Sequence, residues 1–136
     1  MLAKRPSVKL IVINEREVLI ATSSRSGSKK FPGGGIESGE GIVEAAEREL
    51  LEETHLVAVA MQYLGKIEGT FSAQNQNMSH GLKPGDATEE HYFLVSRYSG
   101  EPHADDDACQ LEWVSIDQVK GLLTYDTQKQ GFDLLK

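Results

Sequence analysis

One cysteine, Cys109, is all the chain has, so no internal disulfide framework staples the fold and no thiol set for structural zinc or haem is present. A reducing, cytoplasmic setting is expected. Long apolar runs are also missing: no stretch approaches the roughly 18 residues that a membrane helix needs. The opening MLAKRPSVKLIVI lacks the small-residue cleavage site of a secretory signal, and a soluble, unanchored protein is expected. Positive charge is scarce, with 14 Lys and Arg against 21 Asp and Glu and a formal net charge of −7. That balance argues against a nucleic-acid polymer as partner, because backbone affinity comes from clustered cations. A small phosphorylated ligand stays admissible where a divalent ion and a few cationic side chains reverse the local field. Internal repeats, low-complexity tracts and linkers are absent too, and 136 residues with 39% hydrophobic content are enough for one unstapled core. Residues 1–136 are therefore expected to form one domain.

The strand signals come first. Val8 to Ile13 and Val18 to Thr22 are β-rich runs on either side of Asn14-Glu15-Arg16-Glu17, which predicts an antiparallel hairpin with a four-residue loop. A polar, basic loop, Ser23 to Lys30, then leads into Phe31-Pro32-Gly33-Gly34-Gly35, a tight glycine corner. Gly41 to Thr54 predicts a helix with Ser38 as N-cap and Ile42, Ala45, Ala46, Leu50 and Val43 on its apolar side. Val57 to Phe71 is strand-like in its first two-thirds, and Ser72 to Thr88 is a long polar segment of the kind that is often functional. His91 to Ser96 and Leu111 to Val114 read as further strands, Ile116 to Leu123 as a short helix and Thr127 to Lys136 as a terminal one. Strands with one strong helix inserted and a second late point to an α/β fold in which helices sandwich a mixed sheet.

The helix carries the chemistry. Residues three and four apart on a helix are neighbours, so Glu49, Glu52 and Glu53 are expected to project from one face and to repel one another. A hard divalent ion relieves that repulsion, since Mg²⁺ takes oxygen ligands and shares its octahedron among carboxylates, waters and phosphates. An ordinary solvated helix face with Glu44–Arg48 and Arg48–Glu52 ion pairs would use the same residues. The glycine corner just upstream favours the metal, because glycine lets backbone groups approach an ion or phosphate closely.

Gly34, Glu40, Arg48-Glu49-Leu50-Leu51-Glu52-Glu53-Thr54 and Leu56 fall at the fixed spacings of one pattern: Gly, five residues, Glu, seven residues, Arg-Glu, an aliphatic, any residue, Glu-Glu, any residue, Gly, an aliphatic. The chain thus resembles the Nudix hydrolase family of the MutT type, departing only at His55, where the family has glycine. A residue just past a helix often takes positive φ, which histidine reaches at a modest penalty. Phe31-Pro32-Gly33-Gly34 resembles the family's lead-in and Leu111-Glu112-Trp113-Val114 its late strand.

The resemblance implies a Mg²⁺-dependent pyrophosphohydrolase, with Mn²⁺ as an alternative ion, in which water attacks one phosphorus of a nucleoside diphosphate derivative. It makes Glu52 and Glu53 the principal metal ligands, Glu49 a further ligand or water-orienting base, and the Gly34 carbonyl another ligand. Arg48 would pair with Glu40 or a neighbouring glutamate and orient the helix. Arg25, Lys29 or Lys30 would grip a phosphate. A distal acid is implied near Asp106, with Glu89 and Glu90 as rivals, and Asp126 beside Tyr125 stands where members contact the base. Trp113 is read as core. Phe71-Ser72-Ala73-Gln74 matches none of the downstream signatures of ADP-ribose, dinucleoside polyphosphate or NADH hydrolases. A nucleoside triphosphate, an oxidised one included, is favoured by elimination, ahead of those substrates, nucleotide sugars or a non-catalytic nucleotide sensor. No membrane partner is expected, and a homodimer is admissible.

Overall fold

A hairpin opens the chain. In the computed structural model, which describes residues 4–70, 87–104 and 108–135, β1 (Lys4–Asn14) and β2 (Glu17–Ser23) pair antiparallel with Ile13 opposite Val18 and Asn14 opposite Glu17. The strands run one residue further than the apolar pattern at each side, so the connection is the two-residue turn Glu15–Arg16, with Glu15 at φ 58, not a four-residue loop. Two short strands follow, β3 (Lys29–Lys30) and β4 (Gly33–Gly35), then α1 (Ile42–Thr54), β5 (Val57–Thr70), β6 (Ala87–Ser99), β7 (Ala108–Ser115), α2 (Ile116–Leu122) and α3 (Asp126–Phe132), closed by a 3-10 turn at Asp133–Leu135.

The seven strands form one mixed sheet along the path β3-β2-β1-β6-β5, with β4 also on β1 and β7 also on β2. β1 and β6 run parallel from Lys4 opposite Ala87 to Val12 opposite Val95; the other pairs are antiparallel. On its other edge β1 forks: Ser7, Val8 and Lys9 pair with β4, and Ile13 and Asn14 pair with β2. The fork sets the glycine corner beside the centre of the sheet.

Alternation along β1 sorts the core into two layers. Val8, Leu10 and Val12 pack with Ala45, Ala46 and Leu50 of α1 and with Leu56, Phe93 and Val95. Ile11 packs on the opposite side with Val18, Ile20, Phe31 and Tyr92, beneath Val119 of α2 and partly buried Phe132 of α3. Burying each such side chain contributes roughly 1.5–3 kcal/mol, and the two layers leave the sheet sandwiched between α1 and the α2/α3 pair, as expected. Partly buried Trp113 joins the first layer and stacks on Tyr98 with ring centroids 6.1 Å apart.

The start of α1 differs from the expectation. Gly41, not Ser38, is the N-cap, and its N–H donates to the Glu44 carboxylate at 2.8 Å. Ser38 and Gly39 are used in a turn closed by Glu40 N–H to the Glu37 carbonyl at 3.0 Å. The buried stripe of α1 is Ala45, Ala46, Glu49, Leu50, Glu53 and Thr54. Ile42 and Val43, read as apolar-side residues, are 37% and 53% exposed: Val43 falls off the stripe, and Ile42, in line with Ala46 and Leu50, is the first residue of the helix. β6 is longer than its apolar run and takes in Ala87 and Thr88, since pairing with β1 and β5 holds a polar stretch extended. Residues 71–86, which include Phe71-Ser72-Ala73-Gln74 and most of the long polar segment, lie outside the described residues. The last helix is shorter than read, ending at Phe132.

His55 ends α1 in the left-handed region, at φ 64 and ψ 17, with its N–H on the Leu51 carbonyl at 2.9 Å. A side chain there carries strain of about 1–2 kcal/mol, which glycine avoids at some cost in unfolded-chain entropy. His55→Gly is expected to stabilise the protein by up to about 1 kcal/mol, read as a higher denaturant midpoint. A lower midpoint would mean that the edge-on contact of His55 with His103, at 5.1 Å between centroids, outweighs the strain.

Candidate active site

The glycine corner and the buried stripe of α1 meet. Phe31 is held in the core with its N–H donating to Gln128 Oε1 at 2.9 Å, and Leu10 N–H donates to the Pro32 carbonyl at 2.8 Å. Those bonds pin both sides of the corner, so Gly33, Gly34 and Gly35 lie flat along β1 and under the helix. The Glu49 carboxylate rests directly on Gly34: a Cβ built there would fall 2.5 Å from Oε2. Glu53, one turn on, accepts the Gly33 N–H at 3.4 Å.

Glu49 and Glu53 are 8% and 9% exposed, whereas the Glu52 side chain is 58% exposed. The three carboxylates therefore do not share one face. Two point inward at positions four apart, and the third stands at the rim, because the sheet lies beneath the 45/49/53 side of the helix. Arg48 links them: Nη1 donates to Glu49 Oε2 at 2.9 Å and to Glu52 Oε1 at 3.2 Å. Its Nε and Nη2 hold the Glu40 carboxylate at 2.6 and 2.9 Å, and Nη2 also reaches the Gly35 carbonyl at 2.9 Å. The expected Arg48–Glu40 pair is thus a bidentate clamp that ties the loop to the helix. It holds the Glu40 carboxyl down at about 2, helped by the Glu37 N–H, and drives the Arg48 guanidinium further above its ordinary value.

The inward pair behaves in the opposite sense. Burial pushes the Glu49 carboxyl up, opposed by its hydrogen bond from Arg48. Burial likewise pushes Glu53 up, and the Glu49 charge adds to it, while Lys30, the Gly33 N–H and Lys9 pull it down. Two desolvated carboxylates side by side are under-compensated by the cations around them.

The remaining residues divide. Adjacent residues of a strand face opposite sides, and of the two lysines on β3 only Lys30, 6% exposed, is close enough to act on Glu53. Lys29 is engaged elsewhere, with its Nζ donating to Thr22 Oγ1 at 2.9 Å and Glu112 Oε1 at 3.5 Å. Arg25 is exposed on the turn after β2, with its N–H on Ser23 Oγ at 3.2 Å. Asp126 begins α3 with a side chain 92% exposed and 4.0 Å from Lys129. Asp106 lies outside the described residues. Its rivals are held in local networks, Glu89 by His91 Nε2 at 2.6 Å and Glu90 by the Tyr92 hydroxyl at 2.7 Å. Lys9, buried on β1 and felt by both inward glutamates, is the residue that sequence reading missed. Its signal was a lysine interrupting VKLIVI, in a strand covered on both sides.

Comparison with known proteins places this geometry in company. The NUDIX domain model matches residues 3–134. The chain is 31% identical over 113 residues to the oxidized purine nucleoside triphosphate hydrolase of Danio rerio, covering 81% of this chain and 65% of that protein. It is 38% identical over 99 residues to the RNA pyrophosphohydrolase of Helicobacter pylori strain G27, covering 67% of this chain and 62% of that protein. The match therefore spans less than two thirds of the length of either relative. Among solved structures, the MutT protein of Bacillus halodurans superposes with a TM-score of 0.76 at 25% identity, over 95% of this chain and 80% of that one.

Proposed function

Because this chain belongs to the NUDIX family, we propose that it is a Mg²⁺-dependent pyrophosphohydrolase that cuts a nucleoside triphosphate, an oxidised purine one included, to the monophosphate and pyrophosphate. The observation that carries the reading is the buried pair Glu49 and Glu53 against the glycine corner, both pushed toward protonation by burial. A cation seated between them removes that penalty. Among the described residues no three carboxylate, histidine or cysteine side chains converge into a closed cage. A hard ion that keeps water and takes substrate oxygens needs no such cage. The bare Cα of Gly34 fits too, since a side chain there would occupy the place of the Glu49 carboxylate.

When bound, the ion neutralises phosphate oxygens and acidifies a water. Glu49, Glu52 and Glu53 would hold it, together with the Gly34 carbonyl. Arg48 fixes Glu49 and Glu52 relative to the loop through Glu40, so the carboxylates stand in place before substrate arrives. In the reaction a water oxygen bonds to phosphorus, the bridging P–O bond breaks, and a carboxylate takes up the proton. Lys30, buried beside Glu53, contributes positive charge on the phosphate side; Arg25 and Asp126 are assigned to the outer part of the nucleotide.

The relatives named for oxidised purine triphosphates and for RNA frame the test. Purified protein with Mg²⁺ or Mn²⁺ is given ordinary and oxidised nucleoside triphosphates, ADP-ribose, a dinucleoside polyphosphate and a 5′-triphosphate RNA, and pyrophosphate and phosphate release are measured. Release of pyrophosphate from a triphosphate, stopped by EDTA and restored by Mg²⁺, is the expected result. Preferred release from the RNA would move the substrate to the polymer end, and tight nucleotide binding without release would make the protein a sensor.

A further inference from the structure

Lys9 does not behave like a structural lysine. Its side chain lies on the opposite face of β1 from Val8 and Leu10, with Gly33 opposite it on one neighbouring strand and Tyr92 on the other. It is 7% exposed. Lysine is rarely buried unless it is paired, and an ammonium has three donors to satisfy. Among the described residues, Lys9 forms no side-chain hydrogen bond and no ion pair; it acts on Glu49 and Glu53 only as a charge at longer range. Leaving buried donors unsatisfied costs roughly 1–3 kcal/mol, and more for a charged group. A fold that keeps such a group keeps it against selection for stability.

Lys30 lends its charge to Glu53, and two further cations near the carboxylates are committed. Arg48 uses its donors on Glu40, Glu49, Glu52 and the Gly35 carbonyl. Lys29 uses its own on Thr22 and Glu112. Lys9 stands instead directly across from Gly33, whose N–H the Glu53 carboxylate accepts, and its charge reaches both inward glutamates, where an ion held by those two carboxylates would bring the oxygens of its second ligand. A diphosphate offers several acceptors at once, carries the opposite charge and is small enough to reach both the ion and the strand.

We propose that Lys9 is the diphosphate-binding cation of this site: its ammonium, without a hydrogen-bond partner among the described residues, donates to non-bridging oxygens of the phosphate group held at Glu49 and Glu53. This rests on the pyrophosphohydrolase reading and adds the residue that grips the reacting group from the sheet side. It separates two jobs that the site must do. Arg48 organises the carboxylates, and Lys9 waits for the substrate.

The test is binding of inorganic pyrophosphate in the presence of Mg²⁺, by titration calorimetry, for wild type, Lys9→Met and Lys9→Gln, together with ligand-free thermal unfolding. Methionine matches the lysine stem in volume and removes the charge; glutamine keeps a polar end if methionine packs badly. Charge-assisted hydrogen bonds of this kind are worth enough for about a 10–100-fold loss of affinity in both variants. The ligand-free melting temperature should hold or rise, because an unsatisfied buried charge has been removed. Unchanged pyrophosphate affinity in both variants overturns the proposal, and so does a wild type that binds no pyrophosphate. A lower melting temperature with affinity intact would show that Lys9 is a structural counter-ion to Glu49 and Glu53, and also overturns it. Wild-type turnover separates this inference from its premise. Lysine-dependent pyrophosphate binding without hydrolysis of any compound discards the enzyme and keeps the anion site; hydrolysis that Lys9→Met leaves unaltered, with affinity unaltered, keeps the enzyme and discards the role of Lys9.

Discussion

Glu53→Gln is expected to lower metal-dependent turnover by at least about a thousandfold while the protein stays folded. Glutamine has the shape of glutamate and still offers an oxygen to the Gly33 N–H, so the corner and the helix keep their contact. What it loses is the charge that would hold a divalent ion deep in the site. The sign of the accompanying stability change follows from the raised carboxyl. A group whose folded-state value lies above its ordinary 4.5 favours the folded state while protonated. Its contribution is complete below 4.5 and declines as pH rises through the folded-state value. At neutral pH the ion-free wild type therefore lacks part or all of that contribution, a pH-dependent penalty that Glu53→Gln does not carry, and the variant should melt at the same temperature or higher. Added Mg²⁺ should raise the wild-type melting temperature and leave the variant nearly unmoved. Equal turnover by the two proteins would sink the assignment of Glu53, whatever the melting curves show.

Gly33→Ala is expected to be severely damaging for a single methyl. A Cβ at this position would lie 2.0 Å from the Val8 carbonyl oxygen and 3.0 Å from the Lys9 Cα. Those atoms are backbone in the middle of the sheet and cannot swing aside as a side chain would. To make room, β4 must come off β1, which breaks the pairing at Ser7, Val8 and Lys9 and pulls the corner from under Glu49 and Glu53. A loss of more than about 3 kcal/mol is expected, seen as a large drop in denaturant midpoint or as insoluble expression. Gly27→Ala is the control: its Cβ would meet nothing within 4 Å, so only the cost of its positive φ remains. If Gly33→Ala unfolds no more easily than the control, β4 is not anchored as described.

Much of this was legible in the chain itself, for a physical reason. Fixed spacings between Gly34, Glu40, Arg48 and the glutamates encode one helix and the loop before it, where contacts are local in sequence. Arg48 on Glu40 and the left-handed His55 followed directly. The division of the glutamates did not. A helical repeat says which residues are neighbours but not where the sheet lies, so Glu49, Glu52 and Glu53 could not be sorted into buried and exposed. Lys9 escaped for a related reason, since a lysine in a strand is unremarkable until both faces of that strand are known to be covered. Nearness in sequence does not give surroundings either: Lys29 and Lys30 are adjacent, yet Lys29 is bonded to Thr22 and Lys30 is the one whose charge acts on Glu53.

The parallel pairing of β1 with β6 joins the first described residue, Lys4, to Ala87, late in the chain. Closing so long a loop is slow, because its entropy is lost before any contact offsets it. The hairpin, α1 and the corner can form early from neighbours in sequence, but Lys9 is not enclosed until β6 arrives with Tyr92 beside it. A nascent or partly melted molecule would then carry its carboxylate helix already assembled and its phosphate side still open to water. Such a species could hold a divalent ion without being able to use it, so metal uptake and catalytic competence should appear at different times during refolding.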